Sequence, residues 1–380
     1  MQIDSKLPNV GTTIFTIMSG LAREHNAINL SQGFPDFACS PKLLKLAQKQ
    51  MQEGFNQYAP MQGVIQLRER IAEIIETCYG QTYSPDTEIT ITAGATQGIY
   101  TCIAAFINKS DEVIVFEPAY DCYVPAIELH GGIAVPVELT YPGFSIDWNV
   151  VKKKIGPKTK MIIINSPHNP SGTTLSSDDL KELESLVSGA NILVVSDEVY
   201  EHMAFDNKPH QSVALYKALS QQAIIVSSFG KTVHTTGWKI GYVAAPASLM
   251  LEFRKVHQFL VFAVNHPFQL ALAEYLADTS TYLELKNFYQ QKRDFFRQLI
   301  SSSRFEIEPC TGTYFQLVNY KKISAEKDAD FAVRLTREKK LASVPLSVFY
   351  HKQTDNKLLR FCFAKKDETL EKAAEIINSL

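Results

Sequence analysis

Two lysines, Lys231 and Lys239, lie in a stretch rich in glycine, hydroxyl-bearing and apolar residues, 227–241. The apolar run 223–226 comes directly before this stretch and predicts a buried strand, so Lys231 follows a strand end. An amine that is desolvated at such a place is a nucleophile towards a carbonyl carbon. Taken alone, the stretch fits a surface loop with two solvated lysines better, so the chemistry depends on the other segments.

Acidic and phenolic side chains follow a second apolar run. Residues 192–195 are all apolar, which predicts a central parallel strand, and Asp197, Glu198 and Tyr200 come shortly after it. Carboxylates at the end of a buried strand need a positive or hydrogen-bonding partner. The alternative is a pair of acids that caps the strand at the protein surface.

Two further segments contain residue types that bind anions. After an alternating strand segment, Gly94, Ala95 and Thr96 form a turn of small residues before an apolar helix. Exposed N–H groups and the helix dipole favour a phosphate there, although many ordinary α/β turns share this pattern. Arg360 lies in the alternating segment 357–364, where it either binds a carboxylate or faces solvent on an edge strand.

Composition argues against several classes of protein. The 380 residues include 38 Lys+Arg and 40 Asp+Glu, and the net charge of −2 argues against binding to nucleic acid or to a membrane surface. Six cysteines without a Cys-x-x-Cys spacing indicate free thiols in a reducing compartment, without a disulfide framework or a metal site. The N-terminus lacks the apolar core of a signal peptide, and no apolar run approaches membrane-spanning length. We therefore expect a cytoplasmic protein.

Strands and helices alternate along much of the chain, which predicts an α/β architecture. Further strands are predicted at 113–118, 133–137, 161–165 and 241–245. Pro136 favours an edge or a bend for its strand, because proline cannot donate a hydrogen bond to a neighbouring strand. The pattern therefore predicts an α/β domain whose strand ends carry the candidate residues.

The lysine segment resembles the cofactor-binding segment of fold-type I pyridoxal phosphate (PLP) enzymes, and more narrowly that of the class I and II aminotransferases. The shared pattern is Ser228-x-x-Lys231 followed by Lys239, where many relatives have Arg, and by Gly241. Four other segments resemble the same family in chain order: Gly-Phe-Pro-Asp-Phe at 33–37, Asn-Pro-Ser-Gly at 169–172 with Ser171 in place of Thr, Asp-Glu-x-Tyr at 197–200, and Arg-Phe-x-Phe at 360–363. The first of these segments looks most like the methionine and kynurenine aminotransferases.

The resemblance implies that Lys231 holds PLP covalently and that Asp197 keeps the pyridine nitrogen of the cofactor protonated. The other implied contacts are Tyr200 and Asn169 with the ring oxygen, Tyr120 stacked on the ring, the phosphate bound by Gly94, Ala95, Thr96, Ser228 and Lys239, and Tyr58 reaching the cofactor phosphate of a partner subunit. The family also implies a homodimer and a mostly parallel seven-stranded sheet. Its large domain would span 41–285, and a smaller α+β domain would combine 1–40 with 286–380.

The implied reaction transfers the amino group of an L-amino acid to a 2-oxo acid. Arg360 would hold the substrate carboxylate, the backbone at Gly33 would approach it, and Asn169 and Phe15 would also contact the substrate. The Lys231 amine would move the proton of the substrate α-carbon. The resemblance places these groups around one substrate, with contributions from both ends of the chain.

The resemblance also suggests a substrate. Phe15, Phe34 and Tyr120 would line an apolar pocket, which suits methionine first and kynurenine or other aromatic amino acids second. Two alternatives remain. A PLP lyase that acts on cysteine S-conjugates would use the same residues and would differ only in the loss of a β-substituent. A non-catalytic regulator built on an aminotransferase body would need an added DNA-binding domain, which this sequence does not predict.

Overall fold

The structure, a computed structural model, describes residues 4–380. Its strands are β1 (Ile28–Asn29), β2 (Ile89–Thr92), β3 (Glu112–Glu117), β4 (Ile133–Glu138), β5 (Thr159–Asn165), β6 (Leu193–Asp197), β7 (Ala223–Ser228), β8 (Gly241–Ala244), β9 (Glu306–Ile307), β10 (Phe315–Asn319), β11 (Leu341–Ala342), β12 (Val344–Pro345) and β13 (Leu358–Cys362). Its helices are α1 (Ile14–Glu24), α2 (Pro41–Gln52), α3 (Ile65–Tyr79), α4 (Ala95–Phe106), α5 (Tyr123–Leu129), α6 (Trp148–Lys154), α7 (Ser177–Val187), α8 (Lys217–Ser220), α9 (Phe229–Thr232), α10 (Ala247–Leu260), α11 (His266–Tyr275), α12 (Ser280–Leu283), α13 (Leu285–Leu299), α14 (Asp328–Lys339) and α15 (Asp367–Asn378). Single 3₁₀ turns lie at Val213–Leu215, Thr236–Trp238 and Ser347–Phe349.

A seven-stranded sheet forms the centre of the larger body, in the order β2-β8-β7-β6-β5-β3-β4. The strands from β7 to β4 are parallel, and β8 lies antiparallel to both β2 and β7. This arrangement confirms the predicted α/β class and the mostly parallel seven-stranded sheet. Pro136 lies in β4, which is an edge strand, as the missing N–H of proline predicted.

Both faces of this sheet are buried, because apolar side chains point to both sides of each central strand. In β7, Ile224 and Val226 belong to one apolar core, whereas Ile225 belongs to the core on the opposite face. Packing on two sides fixes the position of each strand end. The polar residues that follow β6 and β7 therefore start from defined positions.

A smaller antiparallel sheet, in the order β12-β13-β10-β9, lies in the C-terminal part of the chain. Its core includes Met18 and Leu30 from the N-terminal segment as well as residues from α13, α14 and α15. This grouping supports the division into 41–285 and a small domain of 1–40 with 286–380, which stays a prediction. Arg360 lies in β13, an inner strand, and is 1% exposed, so the alternative of a solvent-facing edge residue is wrong.

Two other sequence-based expectations concern the whole chain. Among residues 4–380, the structure contains no helix with the length and apolar character needed to cross a membrane. All six cysteines lie in this range and are free thiols, as their spacing predicted. Cys102, Cys310 and Cys362 are buried.

Candidate active site

Most of the predicted site residues meet in a cleft at the carboxyl ends of β5, β6 and β7. Open α/β sheets bind ligands at this edge, where the connections between strands leave a crevice. Nine predicted residues line the cleft: Ala95, Thr96, Tyr120, Asn169, Asp197, Tyr200, Ser228, Lys231 and Lys239. The sheet therefore brings together residues that are far apart in sequence.

One part of the cleft has the groups that an anion requires. Within the described chain no side chain caps the N-terminus of α4, so its first N–H groups remain available to a ligand. Gly94 has a φ of 81°, and a Cβ atom at this position would lie 3.0 Å from Lys239 Nζ. Ser228 pairs with Gly241 between β7 and β8, and Gly241 packs against the backbone of Gly94 and Ala95. Backbone donors, an ammonium group and a hydroxyl thus surround one point.

Asp197 ends β6, and its buried carboxylate lines the cleft. The Tyr123 hydroxyl donates to Oδ2 at 2.5 Å, and the Val199 N–H donates to Oδ1 at 3.3 Å. Burial raises the pKa of Asp197 to about 6, and the hydrogen bond from Tyr123 opposes this rise. Because Asp197 and Glu198 are both buried, the alternative of surface-capping acids is wrong. A positively charged partner in the cleft would stabilise the ionised form of Asp197.

Lys231 lies in the short helix α9, directly after β7. Its Nζ donates to the Tyr314 hydroxyl at 2.8 Å and to the Gly33 carbonyl oxygen at 3.2 Å. Burial lowers the pKa of Lys231 to about 8, so part of the amine is neutral and nucleophilic near neutral pH. The alternative of a solvated loop is therefore wrong for Lys231, whereas Lys239 is exposed at the cleft.

The Arg360 guanidinium is buried, and its hydrogen-bond acceptors are neutral. Nη1 donates to Asn169 Oδ1 at 2.6 Å and Nη2 donates to the Ser31 carbonyl oxygen at 3.2 Å, while Nε has no partner within residues 4–380. The guanidinium carbon lies 3.9 Å from the centre of the Phe315 ring and 5.2 Å from that of Phe15. Burial lowers the pKa of Arg360. A buried guanidinium with a free donor is suited to a carboxylate ligand.

The backbone carbonyl oxygen of Gly33 contacts Lys231. This oxygen accepts hydrogen bonds from both Lys231 and Tyr314. A Cβ atom at this position would lie 2.9 Å from Cζ of the Phe315 ring. A larger residue would therefore push the loop away from the cleft, which explains why glycine stands here.

Comparison with known proteins identifies the family. Residues 25–377 match the family described as aminotransferase class I and II. This chain belongs to that family. The family is known to bind PLP and to act on amino acids and 2-oxo acids.

Several relatives of this aminotransferase match over the full length. The methionine aminotransferase of Escherichia coli is 49% identical over 377 residues, which cover 99% of this chain and 98% of the relative. The crystal structure of YbdL from Escherichia coli, reported to have a methionine aminotransferase function, matches with a TM-score of 0.98 and 48% identity over 100% of both chains. The structure of N-succinyldiaminopimelate aminotransferase from Mycobacterium tuberculosis matches with a TM-score of 0.96 and 34% identity over 100% of both chains. The kynurenine–oxoglutarate transaminase of Dictyostelium discoideum is 33% identical, and the match covers 96% of this chain and 93% of the relative.

Two predicted residues of this aminotransferase lie away from the cleft of their own chain. Tyr58 is 79% exposed and packs edge-on against Phe262, so its contact with the cofactor of a partner subunit stays a prediction. Phe34 is 42% exposed in a separate surface groove, where Lys365 Nζ lies 5.1 Å from its ring. The structure therefore does not place Phe34 in an apolar substrate pocket.

Sequence reasoning missed several residues of the aminotransferase site, including the cleft residues Ile99, Val199 and Thr236 and four aromatic residues that contact predicted ones. Two of the aromatic residues form hydrogen bonds: Tyr123 donates to Asp197, and Tyr314 accepts from Lys231. The other two are Phe315 and Phe349, whose ring centres lie 3.9 and 5.7 Å from the Arg360 guanidinium carbon. Three of these contacts join residues that are distant in sequence, and Phe349 with Arg360 shares no helix or strand period, so spacing gave no signal. The Tyr-Phe pair at 314–315, which follows Gly312 by two residues, indicated only an aromatic core.

Proposed function

We propose that this aminotransferase transfers the amino group of L-methionine to a 2-oxo acid, with PLP as its cofactor. The observation that carries the proposal is a set of three groups at or beside one cleft, since Lys231 and Asp197 line it and Arg360 is hydrogen-bonded to the lining residue Asn169. These are the Lys231 amine with a pKa of about 8, the buried Asp197 carboxylate, and the Arg360 guanidinium with neutral partners. The 49% identity to the methionine aminotransferase of Escherichia coli supports methionine as the amino donor.

The cleft residues fit PLP. The uncapped N-terminus of α4 and the ammonium group beside it suit the phosphate, and the Lys231 amine suits the aldehyde. The Asp197 carboxylate suits a protonated pyridine nitrogen, because burial leaves it in need of a positive partner. Tyr120 offers a ring for stacking, and Tyr200 and Asn169 offer donors for the ring oxygen. When bound, PLP supplies an electron sink for chemistry at the substrate α-carbon.

The side chains of the protein would orient the amino acid and move its proton. Arg360 forms a fork that binds both oxygens of the α-carboxylate, and Asn169 holds the fork in place through its Oδ1 atom. The neutral Lys231 amine takes the α-proton and later returns it as an ammonium group. Asp197 supplies a fixed negative charge throughout, which requires its ionised form.

The surroundings of Arg360 favour an apolar substrate side chain. The rings of Phe315, Phe15 and Phe349 lie 3.9, 5.2 and 5.7 Å from its guanidinium carbon. A thioether sulfur packs favourably against aromatic rings, which suits methionine. Kynurenine and other aromatic amino acids suit the same surroundings and are the second candidates, supported by the kynurenine–oxoglutarate transaminase relative.

We also propose a homodimer that shares its active sites. The side chains of Tyr58, Phe259 and Phe262 are 79%, 87% and 55% exposed, and exposed aromatic residues in this number mark a protein contact. A partner subunit at this surface would bring Tyr58 to the second cofactor phosphate. Light scattering on the purified protein tests the proposal, and a monomeric mass would contradict it.

The substrate is tested by the absorbance spectrum during addition of L-methionine without a 2-oxo acid. We expect the band of lysine-bound PLP to convert stably into that of pyridoxamine phosphate. An unmoved band would contradict methionine as the donor, and kynurenine and aromatic amino acids would be tested next. Release of pyruvate and ammonia from an S-aryl cysteine would identify the lyase alternative. Absence of any band after PLP is supplied would contradict the cofactor.

Lys231→Ala tests the central role of the amine. We expect turnover to be abolished while some PLP binding remains, because the other cofactor contacts stay in place. Lys255→Ala is a matched control, since Lys255 lies on the surface of α10, where its one ion pair within residues 4–380 is with the exposed Glu252. Steady-state kinetics and the absorbance of bound PLP measure both outcomes.

A further inference from the structure

We propose that Tyr314 is a positioning residue for Lys231, and that its hydroxyl and the Gly33 carbonyl together set the direction of the amine lone pair. This inference rests on the proposed function, because it concerns the proton transfer at Lys231. Lys231 follows β7 of the large sheet, whereas Tyr314 directly precedes β10 of the smaller sheet. The contact therefore joins the two bodies of the molecule at the reacting amine.

The Tyr314 hydroxyl uses its one hydrogen in a hydrogen bond to Gly33. It donates to the Gly33 carbonyl oxygen, so the hydroxyl oxygen faces Lys231 Nζ as an acceptor, at 2.8 Å. Burial holds the pKa of Tyr314 well above its ordinary value, so the hydroxyl stays protonated and neutral. Tyr314 thus orients the amine without taking its proton.

The hydrogens of the lysine amine determine where its lone pair points. A neutral amine has two N–H bonds and one lone pair, and Lys231 Nζ has two acceptors, Tyr314 at 2.8 Å and Gly33 at 3.2 Å. With both N–H bonds engaged, the lone pair points away from these acceptors and the amine cannot rotate freely. A base held in one orientation transfers protons faster, because less entropy is lost in reaching the transition state.

The ring that carries the hydroxyl has little freedom to move. Tyr314 is fully buried, and its ring centre lies 5.2 Å from that of Tyr200, 4.9 Å from Phe315 and 5.6 Å from Tyr289. Close packing on several sides fixes the position of the phenolic oxygen. The acceptor is therefore in place before any substrate arrives.

The second acceptor is fixed independently of the first. Gly33 lies between two backbone carbonyls that are held by buried cations. Arg360 donates to the Ser31 carbonyl oxygen at 3.2 Å, and Lys365 donates to the Phe34 carbonyl oxygen at 2.8 Å. The Gly33 carbonyl therefore remains in place when the Tyr314 hydroxyl is removed, which makes a single substitution informative.

Tyr314→Phe removes the hydroxyl and keeps the ring. We expect kcat with L-methionine to fall about tenfold, the size that loss of one hydrogen bond implies, while KM changes little. Tyr289→Phe is the matched control, because Tyr289 is fully buried in the same aromatic cluster and its hydroxyl has no partner among residues 4–380. The control should keep the wild-type kcat.

PLP uptake by the apo protein gives a readout that does not depend on turnover. The rate at which the band of lysine-bound PLP forms is measured against pH, with Lys231→Ala as the blank. The Tyr314 oxygen also accepts from the ammonium form of Lys231 and stabilises it. Its loss should therefore shift the uptake profile of Tyr314→Phe to lower pH, and Tyr289→Phe should follow the wild type.

The outcomes separate this inference from the proposed function. If Tyr314→Phe keeps both the kcat and the uptake profile of the wild type, the inference is overturned. If the wild type itself does not turn over methionine, the proposed substrate fails, but the uptake profile still tests Tyr314. If Tyr314→Phe unfolds below the assay temperature, a fluorinated tyrosine at position 314 replaces it. The weaker acceptor of that residue should shift the profile in the same direction, and an unshifted profile would overturn the inference.

Discussion

Asp197 and Glu201 lie close together at and after the end of β6, and both carboxyl groups are buried. Asp197 lines the cleft, whereas Glu201 lies in a network of hydroxyl groups from Tyr79, Ser227 and Tyr242. Burial raises the pKa of Asp197 to about 6, but the pKa of Glu201 is lowered. Burial alone therefore does not decide the charge of an acid in this protein.

A neighbouring histidine and the number of donors explain the difference together. Burial opposes ionisation of Glu201 too, but the neighbouring His202 and the hydrogen bonds outweigh it. Glu201 accepts from three hydroxyl groups, at 2.6, 2.7 and 2.8 Å. In the described part of the chain, the Asp197 carboxylate accepts from one hydroxyl at 2.5 Å and from one N–H at 3.3 Å. The hydroxyl groups around Glu201 therefore stabilise its ionised form. The Asp197 carboxylate has fewer donors, so a positively charged ligand in the cleft would stabilise it further.

Asp197→Asn should give the largest effect on activity. The amide keeps the shape of the side chain but cannot balance a protonated ring nitrogen, so turnover of L-methionine should fall about 10²–10³-fold. The free energy of unfolding of the apo protein should not decrease at neutral pH, because a poorly compensated buried charge is removed. Steady-state kinetics and chemical denaturation measure the two effects. Wild-type turnover would contradict a functional role for Asp197.

Glu201→Gln should affect stability instead of activity. The amide N–H₂ group would face hydroxyl donors, so we expect the free energy of unfolding to fall by about 1–3 kcal/mol. Turnover per folded molecule should stay close to that of the wild type. Glu252→Gln is the control, because the ion pair that Glu252 forms with Lys255 lies on the surface and its loss should change stability very little. A large loss of turnover without a loss of stability would contradict the structural role of Glu201 and would give it the role expected for Asp197.

Local patterns in the sequence predicted the residues at the ends of buried strands, but not the residues that contact them. Asp197 and Lys231 were found because each follows an apolar run that forms a buried strand, a pattern that is local in the chain. Their partners Tyr123 and Tyr314 lie 74 and 83 residues away, so no periodicity or spacing relates them. Contacts of this kind depend on the packing of different elements.

Arg360 shows why strand position could not be predicted. Its alternation with Leu359 and Phe361 is the same for an edge strand and for an inner strand. The pairing of β13 with both β10 and β12 removes the solvent-facing alternative. The burial of its guanidinium therefore follows from sheet order, which local pattern does not determine.

Tyr123→Phe should lower turnover far less than Asp197→Asn and tests the role of donors to Asp197 directly. The Tyr123 hydroxyl makes the shorter of the two hydrogen bonds to Asp197, so its loss should raise the pKa of Asp197 further. Turnover should fall only several-fold, because the Val199 N–H still donates and the carboxylate is still present. Kinetics at saturating L-methionine measure this loss, and a fall as large as that of Asp197→Asn would contradict the expectation.

The pH dependence of apo-protein stability separates these variants. A carboxyl group whose pKa is higher in the folded state contributes stability that is fully present below its unfolded pKa and is lost as the pH rises through its folded pKa. For Asp197 this window runs from 3.8 to about 6. Across it, Tm relative to the wild type should fall for Tyr123→Phe and rise for Asp197→Asn, since the other titrating groups are common to all three proteins. Thermal melting measures these differences. If Tm depends on pH in the same way in all three proteins, Tyr123 does not change the pKa of Asp197. Asp197 would then resemble Glu201, an acid whose ionised form is stabilised by the protein itself.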